Sequence, residues 1–410
     1  MKVILFLYFF ILANTLFAQV SFITISGRVT DIEDQTPLPF ASIGLKGTSL
    51  GTITNTQGEF DFHIPAGLKD GTMVISMLGY KDLAESVQNL DPDNLNSFNL
   101  SKEATMLREV VILDSLAGGE ILQIALNSIE KNYPMKPYSM DGFYRDLKKV
   151  NGKYISVLEA AVNIYDKDYS SPRNPFKLRE RVSLVEVRKS LNYEFEFNKY
   201  FDQYNLLEEL LLENNVKYRS FTDNPLFFQN ISREGKNSMG GRTLYELKLS
   251  GDHGYFLHLF IDTETYGIHK MIYRYGDGTI ALQEINRSGK RVEKIMKMEK
   301  VIEFKEFEGK LYLKYLKVKT FYDWVNRNTG KLEAKTELDQ MLLINQVKIT
   351  NLQWISTGKK MKRYGLQYQD LPYNKVFWDR YNVIKDTPLD QEIVKDLEKY
   401  GDLNAQFQNR

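Results

Sequence analysis

The stretch from residue 23 to residue 80 constrains the fold of this chain more than any other part of the sequence. Short apolar runs alternate there with turn residues, and the runs that predict strands are Ile23–Thr30, Phe40–Lys46, Gly51–Asn55, Glu59–Ile64 and Thr72–Met77. Short strands with turn signals about every eight to twelve residues favour a small β-sandwich. The pattern is typical of a packing module, and it contains no catalytic motif.

The same stretch carries an ordered series of motifs. They are Gly27-Arg28-Val29-Thr30-Asp31, Pro37-Leu38-Pro39-Phe40-Ala41-Ser42-Ile43, Gly58-Glu59-Phe60 and Leu78-Gly79-Tyr80. The series resembles the carboxypeptidase-regulatory-like domain that precedes many envelope proteins and TonB-dependent transporters of Bacteroidota-type bacteria, over about residues 23–113. The resemblance implies a seven-stranded, transthyretin-like sandwich in an accessory domain, and it implies no peptidase activity.

The rest of the chain resembles uncharacterised envelope proteins of the same group. The matching motifs are Lys131-Asn132-Tyr133-Pro134, Gly142-Phe143-Tyr144-Arg145 and Phe377-Trp378-Asp379-Arg380-Tyr381-Asn382. This second resemblance implies no established activity. The predicted meander with helices is also similar in outline to the open barrel of LolA-like lipoprotein carriers, which is an analogy between folds without a shared motif.

The first eighteen residues predict export. Lys2 supplies a positive start, Val3–Leu12 an apolar run, and Leu16-Phe17-Ala18 a cleavage site before Gln19. The alternative is a membrane anchor, but Asn14 interrupts the run and a spanning helix needs about 20 apolar residues. No later stretch of the sequence has that length and character. We therefore expect an exported protein in the periplasm or at the outer-membrane periphery of a Gram-negative bacterium.

The composition excludes several classes of protein. The chain has no Cys, which rules out disulfides, thiolate metal sites, a thiol nucleophile and lipid attachment at a Cys. Its 54 Lys and Arg against 53 Asp and Glu give a net charge of +1, so no basic excess is available for nucleic acid. At 410 residues the chain is long enough for two or three domains.

The sequence divides into five parts. We predict a signal peptide (1–18), a sandwich (19–113), a linker (114–119) with Gly118-Gly119 as a flexible joint, a β-rich domain (120–385) and a C-terminal helix and tail (386–410). The fold class is mainly β, or α+β, because the large domain is dominated by strands.

Within the large domain, apolar periodicity predicts helices at Glu120–Asn132 and Asp202–Asn214, the second capped by Asp202 or Asn198. Asn151-Gly152 predicts a hairpin turn. From Arg242 to Thr350, short turns rich in Gly and Asp predict one antiparallel meander sheet in chain order, with one solvent-exposed face and the helices on the other.

A hydrolase motif and a zinc site were tested against their required context. Gly47-Thr48-Ser49-Leu50-Gly51 matches the G-x-S-x-G pattern, but the β-prone Thr52-Ile53-Thr54 follows it where a nucleophile elbow needs a helix. The four histidines are His63, His253, His258 and His269, and none has zinc-peptidase spacing. A weak metal site between His258 and His269 across one hairpin stays open.

Charged residues give three further expectations. Glu159 lies in an apolar stretch, and we expect Arg145 on the paired strand to neutralise it as a structural ion pair. We expect Asp166 and Asp168 to be solvated. The basic cluster Lys359, Lys360, Lys362 and Arg363 forms either a solvated loop or a contact with anionic lipid or lipopolysaccharide.

These observations predict a non-catalytic envelope protein in which the sandwich is a docking or spacer module and the β-rich domain carries the specificity. We assign no catalytic, cofactor-binding or metal-binding residue and no cofactor; the partner is an envelope protein or a hydrophobic ligand. One alternative is a LolA-like carrier or sensor of an acyl chain, which a deep apolar pocket would favour. The other is a hydrolase, which converging acid, base and nucleophile would favour.

Overall fold

The computed structural model describes residues 21–103, 116–190, 200–201, 205–286, 290–352, 354–361, 365–369, 371–385, 391–398 and 401–408. The predicted signal peptide lies outside these ranges. Within them, no helix combines the length and the apolar character that a membrane span requires.

The N-terminal part is a sandwich of seven strands, as predicted. The strands are β1 Phe22–Asp31, β2 Ser42–Leu45, β3 Gly51–Ile53, β4 Glu59–Pro65, β5 Thr72–Ser76, β6 Leu83–Ser86 and β7 Asn96–Leu100. They form one sheet in the order β4-β1-β7 and a second in the order β3-β2-β5-β6. Phe60, Phe62 and Ile75 are fully buried between the two sheets, because alternate residues of each strand face inward.

The second part is an eleven-stranded, antiparallel sheet. Its strands are β8 Tyr138–Val150, β9 Lys153–Asp166, β10 Arg181–Lys189, β11 Ser232–Met239, β12 Arg242–Ser250, β13 Phe256–Asp262, β14 Ile268–Tyr275, β15 Gln283–Asn286, β16 Arg291–Phe307, β17 Lys310–Asn326 and β18 Leu332–Lys348. The order is β10-β9-β8-β18-β17-β16-β14-β13-β12-β11, with β15 paired on β16 beside this path. The predicted chain-order meander is confirmed from β12 to β18, and the β8–β9 hairpin extends it.

Short turns explain this order. Asn151 and Gly152 join β8 to β9 with φ values of 50° and 82°, the left-handed pair that a tight hairpin turn requires. The edge strands β10 and β11 were not predicted. β11 has the sequence SREGKNSM, which lacks apolar alternation because an edge strand buries little surface.

The helices are short. They are α1 Gly118–Asn127, α2 Ile129–Asn132, α3 Leu206–Leu212, α4 Asn215–Tyr218, α5 Pro225–Gln229, α6 Lys375–Trp378, α7 Gln391–Leu397 and α8 Leu403–Gln408. The first predicted helix is therefore two helices that meet at Ser128. The second begins later than predicted, and its cap is Asn205, whose side chain accepts a hydrogen bond from the Glu208 amide at 3.4 Å. The two caps predicted for it lie outside the described residues.

Gly118 and Gly119 do not form a flexible joint. Both are buried in the first turn of α1, where the chain of α5 crosses closely. A Cβ on Gly119 would lie 2.1 Å from the Phe228 carbonyl oxygen, and one on Gly118 would lie 2.5 Å from that of Ile231. The pair is glycine because two backbones approach each other, which the sequence pattern alone does not distinguish from a linker.

Both faces of the central sheet are covered, so the prediction of one solvent-exposed face is wrong there. On one face, Tyr144 and Leu342 join the cluster that includes helices α1 and α3, as predicted for these helices. On the other face, Phe143, Tyr315 and Leu343 pack with sandwich and C-terminal residues. The charged residues near the ends of the long strands gave the sequence the alternation of a sheet with one exposed face. The residues at the centre of these strands are buried on both faces of the sheet.

Candidate functional site

The helix-covered face of the sheet is filled beside the end of α2 and the start of α4. Tyr133 stacks on Tyr169 with ring centroids 5.0 Å apart, and it meets the edge of Phe304 at 5.1 Å. Tyr133 and Tyr169 are each 1% exposed. Aromatic rings therefore close this half of the face, and they leave no room there for a ligand of useful size.

The other half of the same face keeps a groove. It lies between residues 213–230 and strands β13, β14 and β16, and it has a volume of about 630 Å³. Its apolar lining consists of Phe221, Leu226, Phe227, Tyr255, Leu257, Met271, Tyr273, Tyr275 and Met298. The groove is continuous with the main core, because Leu257 and Met271 belong to both.

Burial decreases from the floor of this aromatic groove to its rim. Leu257 and Met271 are each 2% exposed on the floor, whereas Tyr275 is 40% and Leu226 is 61% exposed at the rim. Tyr255 meets Tyr273 edge to face at 5.5 Å. Such a gradient, with a closed apolar floor and partly exposed walls, is the form of a small-molecule site rather than of a flat protein interface.

Polar groups at one end of the aromatic groove are already compensated. The Lys300 ammonium donates to the Glu213 carboxylate and, at 2.8 Å, to Asn215 Oδ1. It also lies 5.5 Å from the centre of the Tyr273 ring. Burial raises the pKa of Tyr255 to about 12, so this phenol stays neutral at physiological pH. The groove therefore combines apolar and aromatic walls with a polar end at which the charges of Lys300 and Glu213 are paired.

The sandwich is attached to the opposite face through Ser49. Its hydroxyl donates to the Val347 carbonyl at 2.7 Å and accepts from the Val347 amide at 3.0 Å. The hydroxyl thus forms hydrogen bonds with both the carbonyl and the amide of one residue at the end of β18. Residues Gly51–Ile53 continue as strand β3, so the strand-to-helix context of a nucleophile elbow is absent at this position.

The structure separates the four histidines. His63 Nδ1 lies 2.8 Å from Thr24 Oγ1, and His258 Nε2 lies 2.8 Å from Glu246 Oε1. His258 is paired with Ile272 across its hairpin, not with His269. In the described ranges, no three His, Asp or Glu residues stand close enough to hold a metal ion. The absence of zinc chemistry itself stays a prediction.

The predicted ion pair of Glu159 with Arg145 is confirmed, and it is part of a triad. Arg145 Nε and Arg188 Nε each donate to the Glu159 carboxylate at 2.5 Å. Burial raises the pKa of Glu159, but the two guanidinium groups outweigh it and hold the pKa below its usual value. The sequence analysis missed Arg188 because its strand, β10, was not predicted. In the β9–β10 register Arg188 lies directly opposite Glu159, so a prediction of β10 would have identified it.

The expectation that Asp166 is solvated is wrong. Its side chain is 1% exposed, and it accepts hydrogen bonds from the Lys217 ammonium and, at 2.5 Å, from the Tyr138 hydroxyl. Lys217 belongs to α4, a helix too short to leave a sequence signal. Asp168 forms an ion pair with Arg179 and keeps 27% of its side-chain surface exposed.

The described part of the predicted basic cluster, Lys359 and Lys360, precedes a contact with strand β10. Lys359 is exposed and Lys360 is half-buried, whereas Lys362 and Arg363 fall outside the described residues. Met361 donates its amide to the Val182 carbonyl at 2.8 Å, which fixes the loop against the strand. Its contact with an anionic surface stays a prediction.

Comparison with known families supports the sandwich assignment. A model described as the CarboxypepD_reg-like domain matches residues 25–112, which confirms the resemblance found for 23–113. This match covers only the N-terminal part of the chain. No curated protein matches the sequence.

Solved structures offer distant likenesses. A putative outer membrane lipoprotein-sorting protein domain from Vibrio parahaemolyticus is 10% identical over 58% of this chain and 94% of its own, with a TM-score of 0.21. A LolA superfamily protein from Nitrosomonas europaea is 12% identical over 58% and 96%, with a TM-score of 0.20. The Pseudomonas aeruginosa MucA/MucB complex is 9% identical over 55% and 93%, also at 0.20. Scores this low carry no argument about function.

Proposed function

We propose that this protein is a non-catalytic binding protein of the bacterial envelope that holds an uncharged apolar chain, of the acyl or alkyl class, in the aromatic groove. The observation that carries the proposal is the groove itself, a volume of about 630 Å³ with an apolar floor and aromatic walls between residues 213–230 and the sheet. A carrier requires a gap between the helices and the sheet, whereas an interaction module would have this space filled. On this half of the face the helices and the sheet leave a gap.

The lining suits a flexible chain. Met271 and Met298 are unbranched and polarizable, so they adapt to ligands of variable shape. Tyr255 and Tyr273 add flat aromatic walls whose contact with a methylene chain is dispersive. Burying a methylene group is worth about 0.8 kcal/mol, so affinity should rise roughly fourfold for each added methylene until the groove is full.

The proposal assigns no reaction to the groove. Its titratable floor and wall groups are tyrosines, and its Lys300 is held by Glu213. A hydrolytic site needs a nucleophile, a base and an orienting group within hydrogen-bond reach. The described lining brings no histidine to the groove, so binding is the simpler function.

The predicted signal peptide supports an envelope location for this binding. Export would bring the groove into contact with lipids and lipid-linked molecules. The sandwich then acts as a supporting wall and not as a free spacer, because Ser49 and the Phe143 cluster fix it to the sheet. The proposal therefore replaces the spacer interpretation with a single two-part body.

A titration with phenylnaphthylamine, an uncharged probe that fluoresces in apolar sites, tests the proposal. We expect saturable binding of one probe per chain. Met298→Gln keeps the volume but lines the groove with an amide, and the cost of burying it unpaired should weaken binding roughly 5- to 100-fold.

The matched control is Met135→Gln. Met135 is 39% exposed and lies away from the groove, so this variant should bind as the parent does. Equal affinity in Met298→Gln and the parent, or binding without saturation, would reject the aromatic groove as the site.

A further inference from the structure

A second cavity lies between the two parts of the protein, away from the aromatic groove. It separates sandwich strands β2 and β5 from the ends of β14 and β16 and has a volume of about 420 Å³. Its apolar lining includes Phe40, Leu45, Val74, Met77, Leu78, Met239 and Phe307, and the acidic residues Asp82, Glu303, Glu306 and Glu308 line it as well. We call it the interdomain cleft.

Lys305 projects into the interdomain cleft from β16. It lies one residue beyond the helix-facing Phe304, so strand alternation turns it toward the sandwich. Among the described residues, no acceptor lies within hydrogen-bond distance of its ammonium group. Burial alone lowers the pKa of Lys305, with no neighbouring carboxylate to offset it.

The other strand charges around the cleft are neutralised in pairs. Lys270 forms an ion pair with Glu303 at 3.0 Å. Arg242 forms one with Glu306 at 2.6 Å. Lys305 is therefore the cation on this wall whose counter-charge the described part of the chain does not supply.

The sandwich is shaped around Lys305 and its neighbour Lys314. Gly44 and Gly51 face each other across strands β2 and β3. A Cβ on Gly44 would lie 2.4 Å from Lys305 Nζ, and one on Gly51 would lie 2.5 Å from the Ile43 carbonyl oxygen and 2.9 Å from Lys314 Nζ. The backbone at Gly44 thus lies directly against the Lys305 ammonium, and the backbone at Gly51 lies close to that of Lys314.

The two lysines differ in their partners. A bulge in β17 leaves Lys314 without a counterpart on β16 and turns it to the sandwich side, where Nζ donates to the Thr52 carbonyl at 3.2 Å. Lys314 is thereby satisfied within the fold, and Lys305 is not. Lys305 is half-buried, and its ammonium receives no counter-charge from the described residues inside the cleft, so a ligand that supplies one would be stabilised there.

We propose that the interdomain cleft binds an amphipathic organic anion, whose acidic head group pairs with the Lys305 ammonium while its apolar body packs between Leu45, Met77 and Phe307. The geometry fits this class on two counts. Leu45, Met77 and Phe307 supply apolar contacts near the cation, and among the described residues of the strand wall Lys270 and Arg242 are already paired with Glu303 and Glu306.

The test uses two probes that share their aromatic rings and differ in charge. Anilinonaphthalene sulfonate is anionic and phenylnaphthylamine is not. Lys305→Met removes the charge and keeps the chain length, so the dissociation constant of the anionic probe should rise about 10- to 100-fold, which is the loss of one charge-assisted hydrogen bond. The uncharged probe, which reports on the aromatic groove, should change less than about twofold.

Lys46→Met is the matched control, because exposed Lys46 lines the same cleft and its removal changes the net charge equally. It should weaken the anionic probe by less than about threefold, since exposed charges are screened. A thermal melt completes the test. Lys305→Met should be at least as stable as the parent, because it removes no ion pair between described residues and relieves the repulsion between Lys305 and Lys314.

Three results would overturn the proposal. The first is an unchanged affinity of Lys305→Met for the anionic probe. The second is an equal loss of affinity for both probes. The third is a lowered melting temperature of Lys305→Met, which would make Lys305 a structural residue.

Discussion

Glu159→Gln should destabilise the protein strongly, because Glu159 is the shared carboxylate of a buried triad. The Glu159 side chain is 3% exposed, and those of Arg145 and Arg188 are 5% and 10% exposed. The triad also holds the C-terminal segment, because Arg145 donates to the Ile384 carbonyl at 3.2 Å and Arg188 lies 4.5 Å from the ring centre of Trp378. Glutamine keeps the shape of Glu159 and removes the carboxylate that the two buried guanidinium groups share.

Breaking a buried pair in this way costs about 3–5 kcal/mol. A chain of this size that unfolds as one unit has an unfolding entropy of roughly 0.8 kcal/mol per degree, so the melting temperature should fall by about 4 to 6 °C. Circular dichroism at pH 7 measures it. Glu299→Gln is the control, because Glu299 is 38% exposed and its pair with Lys297 is worth less than about 1 kcal/mol.

The pH dependence gives a second measurement on the same variant. The pKa of Glu159 is lower in the folded than in the unfolded protein, so its contribution is present above the unfolded value of about 4.5 and is lost as the pH falls below it. Glu159→Gln should therefore lose less stability than the parent between pH 5 and pH 3. A melting temperature within 1 °C of the parent at pH 7 would refute the reasoning.

Further predictions concern separate parts of the chain. Gly58→Val should cost about 2 kcal/mol or more, because Gly58 has φ +74° and a Cβ would lie 2.3 Å from the Val29 carbonyl oxygen; Gly67→Val, at an open position, is the control for the melt. Burial lowers the pKa of Lys314 to about 7 from the ordinary 10.5, so the unfolded state binds more protons between these values and stability should rise from pH 7 to pH 9; Lys314→Met should flatten that rise, and an unchanged slope would contradict it. The mature chain should begin at Gln19, and an intact mass that includes Met1 would contradict it. Neither the parent nor Ser49→Ala should hydrolyse ester or peptide substrates, and metal analysis should find no stoichiometric zinc in either protein. Activity that is lost in Ser49→Ala would contradict this prediction.

The sequence predicted the elements whose signals are local. The Asn151-Gly152 hairpin follows from a turn that only a few residue pairs can adopt. The meander from β12 to β18 follows from short turns, which leave antiparallel neighbours as the available pairing. The sandwich follows from regularly spaced strands and from an ordered series of motifs that the family comparison confirms.

What the sequence missed depends on contacts between distant segments. A Gly-Gly pair occurs both in flexible linkers and in helices that another backbone crosses closely. Only the position of the Phe228 backbone identifies Gly118-Gly119 as the second case. Asp166 looked solvated because its partner Lys217 is 51 residues away. Lys305 has no local sequence signal either. It stands out only because, among the described residues, no carboxylate pairs with its ammonium group.

The sequence analysis named a hydrophobic binding site as an alternative function, but it did not predict where in the fold the site would lie. The criterion was a gap between helices and sheet, but the strands that line it were predicted only as members of a meander. Residues 213–230, which form its other wall, have no strong periodicity because their helices are only four and five residues long. The floor residues Leu257 and Met271 could not be separated from ordinary core residues by sequence.

The measurement that tests the central claim most directly is a crystal structure of the protein with an uncharged, bromine-tagged long-chain alcohol. The anomalous signal locates the chain without any assumption about affinity. We expect one bromine site within the groove, between Tyr255, Phe221 and Met298, in the parent and in Met135→Gln, and a weakened site in Met298→Gln. A bromine site in the interdomain cleft alone, or a groove without bromine in crystals of the saturated protein, would contradict the proposed function.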